Sequence, residues 1–230
     1  MSNTTPSAQA RWRRGGRWPA TAPPCPAEGT DMEEGIRLAA VALEHGGVVV
    51  APGDAVYGFF GHVFHAEAID QVYEIKHRDR GKPFALCTSA EEVDKWAIVG
   101  PRERALIDHY WPYGLGLILP KSPNLPPHFS PDFATVAVMT ASNYLIRGLQ
   151  ERTGPLFATT CNLAGDPEAR TADDANAFLD RVALTLTDDG VFSYPRPTTL
   201  LDCTVDPPRA VRESAIPAAE VMAFLATLEK

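Results

Sequence analysis

Apolar residues recur at intervals of three and four through Ile36, Ala39, Ala40 and Leu43, the spacing of one buried helical face. Thr30 or Asp31 stands where a cap would start that helix, and Gly46 and Gly47 where it would end. The pattern then changes. Val48 to Val50 is a β-branched run stopped at Pro52, which predicts a buried strand. Ala68, Val72 and Ile75 predict a helix over 65–76, and PFALC at 83–87 predicts a strand. Further helices are predicted over 90–97, 102–110 and 144–151, near Thr171, and from Ile216-Pro217 to Leu228. Strands are predicted at 115–120, 134–139, 155–160, 182–187, 198–204 and 208–213. The alternation is not strict and no internal repeat occurs, so the expected fold is α/β, a twisted mixed open sheet flanked by helices.

Composition narrows the class. A chain of 230 residues with 45% hydrophobic positions can bury a core without disulfides or metals. The four cysteines are widely spaced and form no C-x-x-C pair, which fits a reducing compartment, the cytoplasm. No apolar run is long enough to span a membrane, and the N-terminus lacks the apolar segment of a secretory signal.

Residues 1–30 look separate from residues 31–230, which are expected to form a single domain. The stretch RWRRGGRW (Arg11 to Trp18) runs into a proline-rich segment with no periodicity and is expected to be a disordered tail. Four arginines against Glu28 give it +3, so the remainder carries −11 within the net −8. An RNA-touching arm that stacks Trp12 and Trp18, or an organellar transit peptide, are alternatives. The overall charge disfavours a broad nucleic-acid surface but leaves room for a small basic pocket.

Three loops carry candidate chemistry. KHRDRGKPF places Lys76, His77, Arg78, Arg80 and Lys82 between a helix and a strand. That is the neutralisation a polyphosphate needs, or a solvated helix end whose cations favour the dipole. In FATTCNLAGDP a strand delivers Thr159, Thr160 and Asn162 to its C-terminal edge, where open α/β sheets place ligands. If the strand continues, Thr160 and Asn162 share a face; a plain polar turn is the alternative. PGDAVYGFFG has glycines at 53, 58 and 61 and the carboxylate Asp54, but matches neither a P-loop nor a dinucleotide fingerprint. His62 and His65 lack a third metal ligand by spacing, and Cys161 lacks a neighbouring base, so neither is assigned a role.

Taken in order, these loops resemble the YrdC-like family of threonylcarbamoyl-AMP synthases. PGDAVYG (Pro52–Gly58) resembles its opening Pro-Thr-[Asp/Glu]-Thr-[Val/Ile]-[Tyr/Phe]-Gly, and Lys76, Arg78, Lys82 and Pro83 match its Lys-x-Arg and Lys-Pro. WPYGLG (111–116), VAVM (136–139), TTCNLAG (159–165), TTLLD (198–202) and VRESAI (211–216) echo five further motifs, collinear over roughly 32–218. The resemblance implies a positively charged concave cavity in which threonine, bicarbonate and ATP become threonylcarbamoyl-AMP for tRNA modification. Lys76 and Arg78 would be catalytic. Lys82, Thr160, Asn162 and Arg212 would join them in holding the nucleotide, with Mg²⁺ bound through the ATP phosphates. Gly53, Asp54, Tyr57, Met139 and Thr198 would line the substrate end. The partners implied are ATP, bicarbonate or another carbamoyl donor, an amino acid or other acceptor, and a tRNA-modification protein, with no membrane.

The departures fall at one end. The family's opening threonines are Gly53 and Ala55, its strand arginine is Met139, the threonine after Pro-Leu is Gly116, and the serine before the glycine is Ala164. Arg147 or Arg170 is a candidate to replace the missing cation. Two other readings stand beside threonylcarbamoyl-AMP synthesis: a relative that makes or uses another carbamoyl or acyl adenylate in small-molecule metabolism, and a non-catalytic nucleotide- or RNA-binding module.

Overall fold

The computed structural model describes residues 6–192 and 196–228. Its strands are β1 (Arg11–Arg14), β2 (Glu28–Gly29), β3 (Val48–Pro52), β4 (Tyr57–His62), β5 (Ala85–Cys87), β6 (Leu115–Pro120), β7 (Thr135–Met139), β8 (Leu156–Thr160), β9 (Leu184–Thr187), β10 (Thr199–Asp202) and β11 (Arg209–Arg212). The helices are α1 (Met32–Glu44), α2 (Ala66–Lys76), α3 (Val93–Trp96), α4 (Pro101–Tyr110), α5 (Tyr144–Thr153), α6 (Ala172–Asn176) and α7 (Ala218–Leu228). All described strands join one mixed sheet in the order β11-β10-β6-β7-β5-β8-β4-β3-β9-β1-β2. The pairs β5–β7, β6–β10 and β3–β9 are parallel and the rest antiparallel.

Two apolar layers cover the sheet. On one face α2, α4 and α7 pack against Phe157, Leu86, Val138, Leu117 and Leu201. On the other, α1 and α5 cover β1, β3, β4 and β9. Asp31 provides the α1 cap, its Oδ1 accepting from the amides of Glu33 and Glu34 at 3.1 and 3.4 Å.

The sheet extends beyond the expected boundary at residue 30. Residues 1–5 lie outside the described residues, but Arg11–Arg14 pairs with β9, and Trp12 is 3% exposed. A Cβ at Gly29 or Gly35 would come within 2.7 or 2.6 Å of the Trp12 indole, so two glycines make the slot that holds it. Burial there removes Trp12 from any base-stacking role. The arm is ordered because one large aromatic surface is covered and β9 gains a hydrogen-bonded neighbour, neither of which shows as periodicity in a four-residue strand.

PGDAVYGFFG also differs from expectation. It is a hairpin rather than a long loop: residues 57–62 form β4, a central strand. Its glycines obscure the strand signal, yet Gly61 is required because a Cβ there would meet the Phe157 ring at 2.3 Å. The helices expected over 90–97 and from Thr171 shrink to α3 and α6.

Candidate nucleotide site

The alternation along the central strands leaves one face open. The residues opposite the buried layer are Ala158 on β8, Ala85 on β5, Ala137 and Met139 on β7, Gly116 on β6 and Leu200 on β10. Cross-strand register brings them side by side, with Ala85 opposite Ala158, Gly116 opposite Leu200, and Leu200 opposite Arg212. All but Gly116 are half-buried or exposed. The result is a floor of mostly small side chains.

At the β8 end of this floor three predicted residues converge. Lys76 ends α2 and is 1% exposed. His77 follows at φ 50°, so the chain turns at Lys76 rather than running extended to Arg78. Lys76 Nζ donates to Thr160 O at 2.6 Å, Asn162 O at 2.9 Å and Asn162 Oδ1 at 2.7 Å. Thr160 Oγ1 donates to the same Asn162 Oδ1 at 2.7 Å, and Asn162 Nδ2 reaches Asp166 O at 2.8 Å. Thus all three ammonium donors build the loop after β8. Burial, with Arg78 adding like charge, holds the Lys76 ammonium down at about 8.

The other cations separate into two groups. Arg78 Nε donates to Lys82 O at 3.0 Å and Nη2 to Pro83 O at 3.3 Å, with the guanidinium over the Phe84 ring. Lys82 contributes its backbone to that turn while its side chain is exposed. Arg80 is taken by Asp70 at 2.7 Å and lies over Tyr73. Arg212 Nε donates to Thr198 O at 2.9 Å, and among the described residues neither terminal nitrogen has a hydrogen-bond or ion-pair partner. The Glu168 carboxylate favours the charged forms of both Lys76 and Arg212, a smaller effect than their desolvation. Desolvation draws the Arg78 and Arg212 guanidinium groups below their usual values.

The residues expected at the substrate end do not all face one space. Gly53 forms a turn in which its amide donates to Val56 O at 2.8 Å, and a Cβ would come within 2.9 Å of that oxygen. Asp54 is not a free carboxylate. Its Oδ1 accepts from Ser142 N and Ser142 Oγ, both at 2.9 Å, and from Asn143 Nδ2 at 3.5 Å. Burial pushes the Asp54 carboxyl up, against those bonds. Tyr57 is fully buried, and its hydroxyl donates to Asp189 Oδ1 at 2.7 Å. Met139 lies on the floor and Thr198 beside Gly116, whose Cβ would be 3.5 Å from Thr198 Cγ2. Ser142, Asn143 and Glu168 were not singled out from the sequence; Asn143 could have been found as the cap of α5, where its Oδ1 accepts from Ile146 N at 3.0 Å.

His62 and His65 each direct Nε2 to a backbone carbonyl, of Thr153 at 2.8 Å and Glu44 at 3.0 Å. Burial pushes the Cys161 thiol up to about 12, so it remains protonated at neutral pH. Among the described residues no group of three or more His, Cys, Asp or Glu could hold a metal ion, and no helix is long and apolar enough to cross a membrane.

Known proteins resemble this chain in sequence and in fold. The family profile Sua5_yciO_yrdC, described as "Telomere recombination", matches residues 41–214. This chain belongs to the Sua5/YciO/YrdC family. It is 28% identical over 195 residues to the threonylcarbamoyl-AMP synthase of Bacillus subtilis, covering 83% of this chain and 56% of that protein. It is 29% identical over 170 residues to the threonylcarbamoyl-AMP synthase of Stenotrophomonas maltophilia, covering 71% and 91%. The structure of P. abyssi Sua5 complexed with L-threonine superposes with a TM-score of 0.77 at 28% identity, covering 84% of this chain and 57% of that one. The chain therefore spans little more than half the length of two of these three. Within the Sua5/YciO/YrdC match lie the floor, the Lys76 cluster and Arg212; β1, β2 and α7 lie outside it.

Proposed function

We propose that the protein forms a carbamoyl-type adenylate from ATP, bicarbonate and an amine-bearing acceptor, threonylcarbamoyl-AMP synthesis being the nearest named activity. The observation that carries this reading is the buried Lys76 bonded to Thr160 and Asn162 at the head of an open floor whose far edge carries Arg212, opposite Leu200. A neutral amine and bicarbonate combine with loss of water to give a carbamate. A carbamate oxygen then attacks the α-phosphorus of ATP, the bond to the bridging oxygen breaks, and pyrophosphate leaves with the electron pair.

In this scheme the Arg78 and Arg212 forks neutralise phosphate charge, and Thr160 and Asn162 orient the nucleotide. Lys76 is a positioning residue that keeps that loop in place while adding a fixed positive charge. Mg²⁺ would be held by the ATP phosphates rather than by protein side chains and would supply charge neutralisation there. The adenylate would pass to a partner protein that modifies tRNA.

Bicarbonate-dependent ATP–pyrophosphate exchange is the test. Exchange that requires bicarbonate and an amine supports the reading; ATP binding without exchange favours a binding module. Met139 and Gly116 on the floor favour a second reading, in which the acceptor is held differently from threonine or is another amine. Mass spectrometry of the adenylate formed from a panel of amines separates the two.

A further inference from the structure

Three histidines converge on the turn that leaves β4, and one of them is held differently from the other two. His65 and His128 each place one ring nitrogen on a backbone carbonyl, His65 Nε2 at 3.0 Å from Glu44 O and His128 Nε2 at 3.0 Å from Val63 O. Among the described residues their second nitrogens have no hydrogen-bond partner, so either ring can take a second proton and keep its bond. His62, the last residue of β4, has both nitrogens engaged. Its Nε2 stands 2.8 Å from Thr153 O, which can only accept, and its Nδ1 stands 3.3 Å from Phe64 N, which can only donate. These partners fix the ring as neutral, with its hydrogen on Nε2. A proton on Nδ1 would set two N–H groups against each other.

The turn that this ring braces leads straight into α2. Val63 N donates to Pro155 O at 3.4 Å, His65 N to His62 O at 3.1 Å and Ile69 N to His65 O at 3.3 Å, so residues 62–65 form the step from the sheet to the first turn of the helix. That end of α2 has no side-chain cap, and the last residue of the helix is Lys76. The exposed Phe64 ring rests against the His62 ring at 5.4 Å and meets Trp96 edge-on at 5.9 Å. Through Thr153 and Phe64 the imidazole thus joins the end of α5 to the start of α2.

We infer that His62 is an acid-sensitive brace: its neutral ring ties the end of α5 to the step into α2, and protonation at Nδ1 expels the Phe64 amide and loosens residues 62–65 while the ring keeps its hold on Thr153. Burial pushes the His62 imidazole down, and a charged His65 ring, 5.8 Å away, acts in the same direction. The Thr153 carbonyl and the Glu44 carboxylate at the end of α1 act against them. Of the other charged or titratable groups around the turn, His128 is bonded to Val63 O, and Arg152, beside Thr153, is taken by Glu33. An unfolded imidazole takes its proton near 6.5 and the folded ring lower, so the brace's contribution to stability is complete above 6.5 and is lost as the pH falls from there through the folded value.

The test is nitrogen-15 NMR of the imidazoles of the full chain from about pH 8 to about pH 5, together with amide hydrogen exchange corrected for its intrinsic pH dependence. The expected result is that His62 carries its hydrogen on Nε2 at the upper end and takes its second proton below about 6.5. As it does so, protection of the Phe64, His65 and Ile69 amides should fall by about tenfold or more. His62→Gln cannot titrate and should show no such step. His65→Gln removes the neighbouring charge and should keep the step while moving it to higher pH. The inference is overturned if the His62 hydrogen sits on Nδ1, if the second proton is taken at about 6.5 or above, or if His62→Gln loses protection on acidification as the wild type does. Should His62→Gln fail to fold, the tautomer and titration of the wild-type ring and the shift in His65→Gln decide the matter.

Discussion

Tyr57 donates its hydroxyl to Asp189 at 2.7 Å and thereby ties β4 to the loop after β9, 132 residues further along the chain. The next carboxylate, Asp188, accepts from Tyr144 of α5 at 3.0 Å and from the Ser7 amide at 3.4 Å. One short loop is therefore held from the sheet, from a helix and from the N-terminal arm. The Tyr57 ring also meets Phe192 edge-on at 5.2 Å.

Tyr57→Phe removes one hydrogen bond to a charged group, so we expect a loss of about 1.5–3 kcal/mol in urea unfolding. Nucleotide affinity should hardly change, because the hydroxyl is buried away from the floor. A large affinity loss with stability intact would place that hydroxyl on the ligand instead.

Asn162→Ala removes the acceptor of the Thr160 hydroxyl and one of the three acceptors of Lys76, and the loop after β8 should loosen. Nucleotide affinity is expected to fall by about tenfold or more, as read by calorimetry. Asn162→Asp keeps the acceptor and should retain more binding than the alanine variant. Equal binding by both variants would mean that Asn162 does not organise the site.

Lys76 gives a pH signature with two opposite slopes. Its ammonium is held at about 8 when folded but keeps its proton to about 10.5 when unfolded. Between those values the unfolded chain binds more protons, so stability rises with pH; the cost of burying the cation is complete below about 8 and relieved above 10.5. The gap corresponds to about 3 kcal/mol. Over the same interval the site loses a positive charge, so affinity for an anionic nucleotide falls. Denaturation and calorimetry from pH 7 to about 9.5, compared with Lys76→Met, should show both slopes in the wild type and neither in the variant.

The Lys76, Thr160 and Asn162 cluster was legible in the sequence because strand, loop and basic turn each had a local signature. The turn itself was not, since no residue type between Lys76 and Arg78 marks the left-handed His77 that ends α2. Asp54 looked like an available carboxylate, yet its partners Ser142 and Asn143 stand 88 and 89 residues away, a distance that periodicity cannot bridge. The arm was missed for the converse reason: its composition is that of a disordered segment, but a single tryptophan found a slot made by two remote glycines.

Trp12→Ala should therefore act as a core truncation, with a cost of about 3–5 kcal/mol and faster amide exchange along β9. If stability and β9 protection both persist, the arm does not hold the sheet edge.

The open floor has one more consequence. Ala85 and Ala137 each sit with their backs to a strand whose far side carries the tight packing. Exchanging one of them alters what can lie above without opening a void beneath. Ligand choice and structural integrity are thus uncoupled on this surface, and a lineage can drift towards a new small molecule by single steps while the scaffold stays whole. Met139, half-buried on the same surface, is a position where such a step could be taken.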